Sequence, residues 1–155
     1  PDTAELIQRG YPLSCFEDAF SRLKDAGLEV VTHVILGLPG ESREDMLTTV
    51  DYLGRLGTDG IKLQLLHILK GTKLAAYYEA APFHIFTLEE YANLICDCIR
   101  ILPPSVVIHR ITGDAPRRLL IEPGWSADKR KVLNTCARVM RERGIWQGMD
   151  LPPKG

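Results

Sequence analysis

Little in this chain is present in excess, and several familiar signals are missing. Its 155 residues include four cysteines, Cys15, Cys96, Cys98 and Cys136, whose spacing fits neither a zinc nor an iron–sulfur pattern. Cys96 and Cys98 lie two apart on an expected helix, so they point to nearly opposite sides. Cys98 and Cys136 fall on apolar stripes, and the cysteines are read as free, buried thiols in a reducing compartment. The four histidines show no metal-ligand spacing. No G-x-S-x-G motif and no P-loop occurs, which argues against serine-hydrolase and nucleotide-hydrolase chemistry. No apolar run is long enough to span a bilayer, and the chain does not open with a signal-peptide pattern. Neither sign of charge dominates: 19 Lys and Arg face 20 Asp and Glu, for a formal net charge of −1. Nothing here suggests a nucleic-acid or membrane-surface partner, and the location expected is cytoplasmic. The first residue is Pro1, and residues 3–10 already read as helix, so the chain is expected to be part of a longer protein.

What is present is an alternation of helices and strands. Ser14 is followed three residues later by Glu17, Ser42 by Asp45 and Thr87 by Glu90, each a capping-box signature for a helix start. Apolar residues then recur at helical spacing. Phe16, Phe20 and Leu23 form one stripe, and Met46, Val50 and Leu53 a second. Leu88, Tyr91, Ile95, Cys98 and Leu102 form a third. A last helix is expected from near Ser126, carrying Val132, Leu133, Cys136 and Met140. Between the helices lie runs rich in β-branched residues. Residues 29–36 (EVVTHVIL) and 61–66 (IKLQLL) are the best strands, and 106–111 (VVIHRI) is a weaker third. The first run is nearly continuous in apolar character, as in strands covered on both faces. Gly27 and Gly57 stand where the preceding helices should end. Strand, capped helix and strand within about thirty residues is a βαβ unit with parallel strands. It could belong to a TIM-type barrel or to an open doubly wound sheet, and in both a ligand sits at the C-terminal ends of the strands.

Three segments occupy such ends. The first is residues 37–42 (GLPGES), where Gly37 and Gly40 let the backbone turn and approach a ligand, Pro39 stiffens the turn, and Ser42 opens a helix. The second is residues 67–72 (HILKGT). It follows a strand in which Lys62, Gln64 and Leu66 share one face and Leu63 and Leu65 the other. Polar side chains on a buried strand need partners, which a cofactor-lined interior would supply. The third, residues 109–116 (HRITGDAP), sets an imidazole, a guanidinium, a hydroxyl and a carboxylate within six residues. For each segment the alternative is purely structural: a plain turn, a solvated edge strand, an Asp-anchored turn. His33 reads as a hydrogen-bonded core histidine and His84 as surface. The stretch from Lys129 to Lys131 reads as a solvated helix face, and Trp125 and Trp146 as packing residues.

Taken together, these motifs resemble radical S-adenosylmethionine (SAM) enzymes. The branch is the one shared by the Elongator catalytic subunit and oxygen-independent coproporphyrinogen oxidase, and more narrowly the YhcC-like radical SAM proteins. The segments that carry the resemblance are ELIQRGY at 5–11, HVILGLPGESREDML at 33–47, DGIKLQLLHILKGT at 59–72, LPPSVVIHRITGDAPRRLL at 102–120 and WSADKRKVL at 125–133. The resemblance implies an α/β fold: the C-terminal portion of an incomplete (β/α)6 TIM-type barrel plus an α/β C-terminal extension. Residues 1–102 would be the barrel part, with 29–36 and 61–66 as its fifth and sixth strands. Residues 103–155 would be the extension that closes the barrel or the substrate pocket. It further implies two cofactors, SAM and a [4Fe–4S] cluster, with an electron donor such as flavodoxin or ferredoxin as partner. SAM adenine would pack on the backbone around Val34, Ile35, Gly37, Leu38, Pro39 and Gly40. The SAM carboxylate would be held by Arg9, whose paired donors suit it. The family often has His after Arg-Gly, where this chain has Tyr11. Substrate-facing candidates are Lys62, Gln64, His67, Lys70, His109, Arg110, Thr112 and Asp114. The family's C-x-x-x-C-x-x-C cluster motif does not occur in these 155 residues. This part would therefore contribute cofactor and substrate contacts but not the ligands of the iron, and alone it should be catalytically silent. Two competing readings are a metal-free (β/α) lyase or aldolase with Lys62 as a Schiff-base amine, and a non-catalytic interaction module using residues 103–155.

Overall fold

The structure, a computed structural model, describes residues 7 and 9–152. Five helices, five short strands and one 3-10 turn follow one another among them. They are α1 (Leu13–Asp25), β1 (Val31–Leu36), α2 (Arg43–Leu56), β2 (Gly60–Leu65), β3 (Ile68–Leu69), α3 (Lys73–Ala80), α4 (Leu88–Ile101), β4 (Val107–Arg110), β5 (Leu120–Glu122), the 3-10 turn (Gly124–Ala127) and α5 (Lys129–Glu142). β1, β2 and β4 form a parallel sheet in the order β1-β2-β4. β3 and β5 pair antiparallel beside it.

The helix ends follow local chemistry. Ser42 and Thr87 close reciprocal capping boxes with Asp45 and Glu90. Gly57 ends α2 in the left-handed region at φ 86°. The expected Ser14 box does not form. α1 starts two residues earlier, behind Pro12, with no side-chain cap, and Glu17 accepts instead from the Tyr52 hydroxyl at 2.6 Å. Asp128, not Ser126, caps α5 by accepting from the Lys131 N–H. Most of the expected helix at 3–10 lies outside the described residues, and Ile7, Arg9 and Gly10 are not helical.

α2 and α4 cover one face of the sheet. Val34, Leu36, Ile61, Leu63 and Leu65 share a core with Met46, Val50 and Leu53 of α2 and with Tyr91, Ile95, Cys98 and Ile99 of α4. Cys136 and Val139 of α5 belong to the same cluster. Burial of these side chains is the main stabilising term, on the order of 2 kcal/mol for each large one. The other face is uncovered, which corrects the expectation for β1. Val31, His33 and Ile35 are exposed while Thr32, Val34 and Leu36 are buried. An apolar run does not reveal which of its faces is covered, because Val and Ile suit a strand on either. His33 is correspondingly a hydrogen-bonded but exposed residue. Leu23 and Leu133, placed on stripes by spacing, are also exposed. Trp125 packs against Tyr91, but Trp146 is 61% exposed.

Among the cysteines, Cys96, Cys98 and Cys136 are buried and Cys15 is exposed, all four unpaired. Burial pushes the Cys98 and Cys136 thiols up to about 12. No helix among the described residues is long and apolar enough to cross a membrane.

Candidate functional site

Parallel register decides which side chains share a face. His33 lies opposite Lys62 and Ile35 opposite Gln64, so these four project from the uncovered face. The His33 Nε2 and Gln64 Oε1 atoms meet there at 2.5 Å. On the other flank of β2, Lys62 lies opposite Arg110. The register slips between Ile61 and Lys62, and the extra residue on β4 is His109. Its imidazole lies over Gly60, where a Cβ would come within 2.6 Å of Nε2. Gly60 is therefore glycine because a side chain would displace His109.

Because the three strands run in one direction, their C-terminal ends form one edge. Residues 37–42 leave β1 there, residues 66–67 leave β2, and residues 111–116 leave β4. Arg110 pairs with Asp114 at 2.7 Å, and Lys129 pairs with the other Asp114 oxygen. Both are largely exposed pairs that orient side chains more than they stabilise the fold. Lys62 is half-buried, and its side chain has no hydrogen-bond or ion-pair partner among the described residues. The N–H of Lys70 donates to the Leu119 carbonyl, and its side chain is exposed. Thr112 is half-buried in the loop after β4.

The loop after β1 is built around two left-handed glycines, Gly37 at φ 87° and Gly40 at φ 80°. The Gly37 N–H donates to Met46 Sδ at 3.1 Å. A Cβ on Gly37 would press on the Phe86 ring at 3.1 Å, whereas one on Gly40 would meet nothing within 4 Å. Gly37 is thus needed for the fold itself, and Gly40 leaves its side of the loop open. Gly37, Leu38, Pro39 and Gly40 also border a cavity of about 210 Å³ with Arg43, Met46, Phe83, His84 and Phe86. Val34 turns its side chain into the core, and Ile35 turns outward. The Arg9 guanidinium lies 4.7 Å from the Tyr11 ring centroid.

His67 stands at the end of β2, half-buried. Its Nε2 lies 3.0 Å from Ser126 Oγ, and its ring occupies the space that a Cβ on Gly113 would need. Burial lowers its pKa from the ordinary imidazole value. Ser126, Gly113 and Gly60 were not singled out by sequence reasoning, although Gly113 sits inside the 109–116 segment and could have been. Among the described residues no three His, Cys, Asp or Glu side chains converge to hold a metal ion.

The chain is thus an α/β unit: a parallel sheet with one helix-covered face, one open face of mixed polar and apolar side chains, and three loops at the C-terminal edge, the edge where α/β folds as a class bind ligands. Residues 58–142 match the Radical_SAM C-terminal domain, and the chain belongs to that family. YtqA of Bacillus subtilis, described as uncharacterized, is 39% identical over 146 residues, covering 94% of this chain and 45% of YtqA. YhcC of Escherichia coli K12 is 36% identical over 149 residues, covering 96% of this chain and 48% of YhcC. The chain thus spans about half the length of the curated relatives it matches. Among solved structures, the archaeal Elp3 of Methanocaldococcus infernus superposes with a TM-score of 0.79 at 23% identity. That alignment covers 94% of this chain and 34% of Elp3, and the likeness establishes a shared α/β fold.

Proposed function

We propose that this chain is the C-terminal part of the partial barrel of a radical SAM enzyme. The full-length protein would cleave SAM reductively at a [4Fe–4S] cluster, fed by a flavodoxin- or ferredoxin-like donor, and remove a hydrogen atom from a substrate. Residues 1–102 complete the barrel, and residues 103–155 shape the substrate side. The carrying observation is the uncovered sheet face with its register-matched side chains. In a barrel that face is the interior, and the helices form the outer ring.

The residues present suit SAM and do not suit the cluster. Ile35 offers an apolar side chain, 40% exposed, on the open face at the end of β1. Gly40 leaves the adjoining loop open for a flat ring. Val34 faces the core, so only its backbone can touch adenine. Arg9 is the expected carboxylate partner, and a guanidinium stacked on Tyr11 keeps its in-plane N–H donors for that role. Lys62, Gln64, His109, Arg110 and Asp114 line the interior or its rim as substrate contacts. The unpartnered Lys62 ammonium suits an electronegative group, because a half-buried charge is costly without one. The iron ligands come from cysteines outside these 155 residues. When bound, SAM and the cluster supply a radical able to abstract hydrogen; the protein's part is to orient and to exclude water.

The test is anaerobic incubation of the reconstituted full-length protein with SAM and reductant. Formation of 5′-deoxyadenosine and methionine is expected. Their absence from a protein with a full cluster complement overturns the proposal.

A further inference from the structure

We infer that Ser126 holds His67 as its Nε2–H tautomer, so that the bare Nδ1 accepts a hydrogen bond from a donor group of the substrate. His67 is then a substrate contact and Ser126 its positioning residue. The inference rests on the C-terminal edge being the ligand side.

The proton assignment follows from a chain of three groups. Ser126 Oγ lies 2.8 Å from the Pro123 carbonyl oxygen. A carbonyl cannot donate, so the hydroxyl proton points there; otherwise lone pairs would oppose each other at that distance. Ser126 has one hydroxyl proton, and it is spent. The 3.0 Å contact between Ser126 Oγ and His67 Nε2 therefore needs its proton from the imidazole. Ser126 is buried at 8% exposure, so water does not readily replace either partner. Burial also favours the neutral ring, which leaves Nδ1 unprotonated.

Two further observations aim that nitrogen at a ligand. Nδ1 has no hydrogen-bond partner among the described residues, and no fully buried side-chain nitrogen or oxygen lacks one. The atom is therefore open to solvent. The ring also packs against Gly113, where an added Cβ would lie 2.1 Å from its Cε1. An acceptor beside the loops after β2 and β4 selects a substrate that presents an N–H or O–H. It would not suit a carboxylate or a phosphate monoester dianion, whose oxygens only accept.

The experiment has two arms, both on the full-length protein. The first is 15N spectroscopy of histidine-labelled protein at neutral pH, with His67 assigned by its loss in His67→Gln. A pyridine-type Nδ1 and a pyrrole-type Nε2 are expected. Ser126→Ala should average the two signals, and Ser126→Thr should restore them. A pyrrole-type Nδ1 in the parent protein overturns the inference. The second arm uses extract of cells lacking the gene as the source of substrate, and reads extract-stimulated 5′-deoxyadenosine above SAM alone. His67→Gln should raise the extract concentration needed for half-stimulation on the order of tenfold, the cost of one unmade hydrogen bond. Ser126→Ala should raise it less, with Ser126→Thr close to the parent. Equal half-stimulation in all variants overturns the inference while leaving the radical reading intact. No 5′-deoxyadenosine from the parent protein counts against that reading instead, and the first arm still decides the tautomer.

Discussion

The Asp97 carboxylate, on the buried side of α4, lies 2.6 Å from the Arg143 guanidinium at the end of α5. Its second oxygen pairs with Arg43, the first residue of α2. One carboxylate, 10% exposed, thus joins the three helices behind the sheet, and through Arg43 it anchors the helix that follows the 37–42 loop. Asp97→Ala removes the partner of Arg43, whose side chain is 56% exposed, and one of the partners of Arg143, which keeps Asn93. It is expected to cost about 2 kcal/mol of stability, read by urea denaturation of the full-length protein. Arg43→Ala leaves Arg143 in place and should cost clearly less. Equal effects of the two substitutions would contradict the bridging role.

Gly37→Ala meets two penalties, a left-handed φ of 87° and the Phe86 ring at 3.1 Å. A loss of about 2 kcal/mol is expected. Gly40→Ala bears only the backbone penalty and should cost about 1 kcal/mol. Thermal denaturation separates the two, and a Gly40 cost equal to that of Gly37 would show that Phe86 moves aside freely.

His67 supplies a pH dependence of defined sign. Burial depresses its folded pKa below the ordinary value near 6.5, so in the window below 6.5 the unfolded chain binds the proton first. Stability therefore falls as pH drops from 6.5 towards the folded pKa, and levels off below it. Gln does not titrate, so His67→Gln should flatten this limb of a stability–pH curve. Ser126→Ala should keep it, because burial and not the hydroxyl sets the shift.

Thiol reactivity should follow burial. Iodoacetamide at pH 8 is expected to label Cys15 in the native protein, as judged by peptide mass spectrometry. Cys98 and Cys136, with thiols pushed up to about 12, should react only after unfolding. Rapid native labelling of Cys98 would mean that α4 opens locally.

Much of this architecture was legible from residue patterns, because its determinants are local. The Ser42–Asp45 and Thr87–Glu90 boxes mark two helix starts outright, and the alternation in 61–66 assigns both faces of β2. Other features depend on partners distant in sequence. β3 and β5 are two and three residues long and exist only as a pair. The open face of β1 cannot be read from VTHVIL, since exposure there depends on what else covers the sheet. Asp97 left a trace, a carboxylate inside the apolar stripe of α4, but its arginines lie 54 and 46 residues away. Of the candidate site, Lys62, Gln64, Arg110 and Asp114 gather at the open face and its rim, while Arg9 stacks on Tyr11. His67 was visible as a strand-end histidine, but the serine that orients it was read only as a helix start inside the 125–133 segment, since its partner lies 59 residues away.

The central claim is that the open face at the end of β1 receives SAM. The most direct measurement is SAM affinity by equilibrium dialysis, on full-length protein with its cluster reconstituted, for the parent and for Ile35→Asp. A carboxylate on the exposed face of β1 leaves the core untouched but sets a charge against adenine. At least a tenfold loss of affinity is expected, with an unchanged circular dichroism spectrum. Affinity equal to the parent's, in a variant just as well folded, would contradict the account.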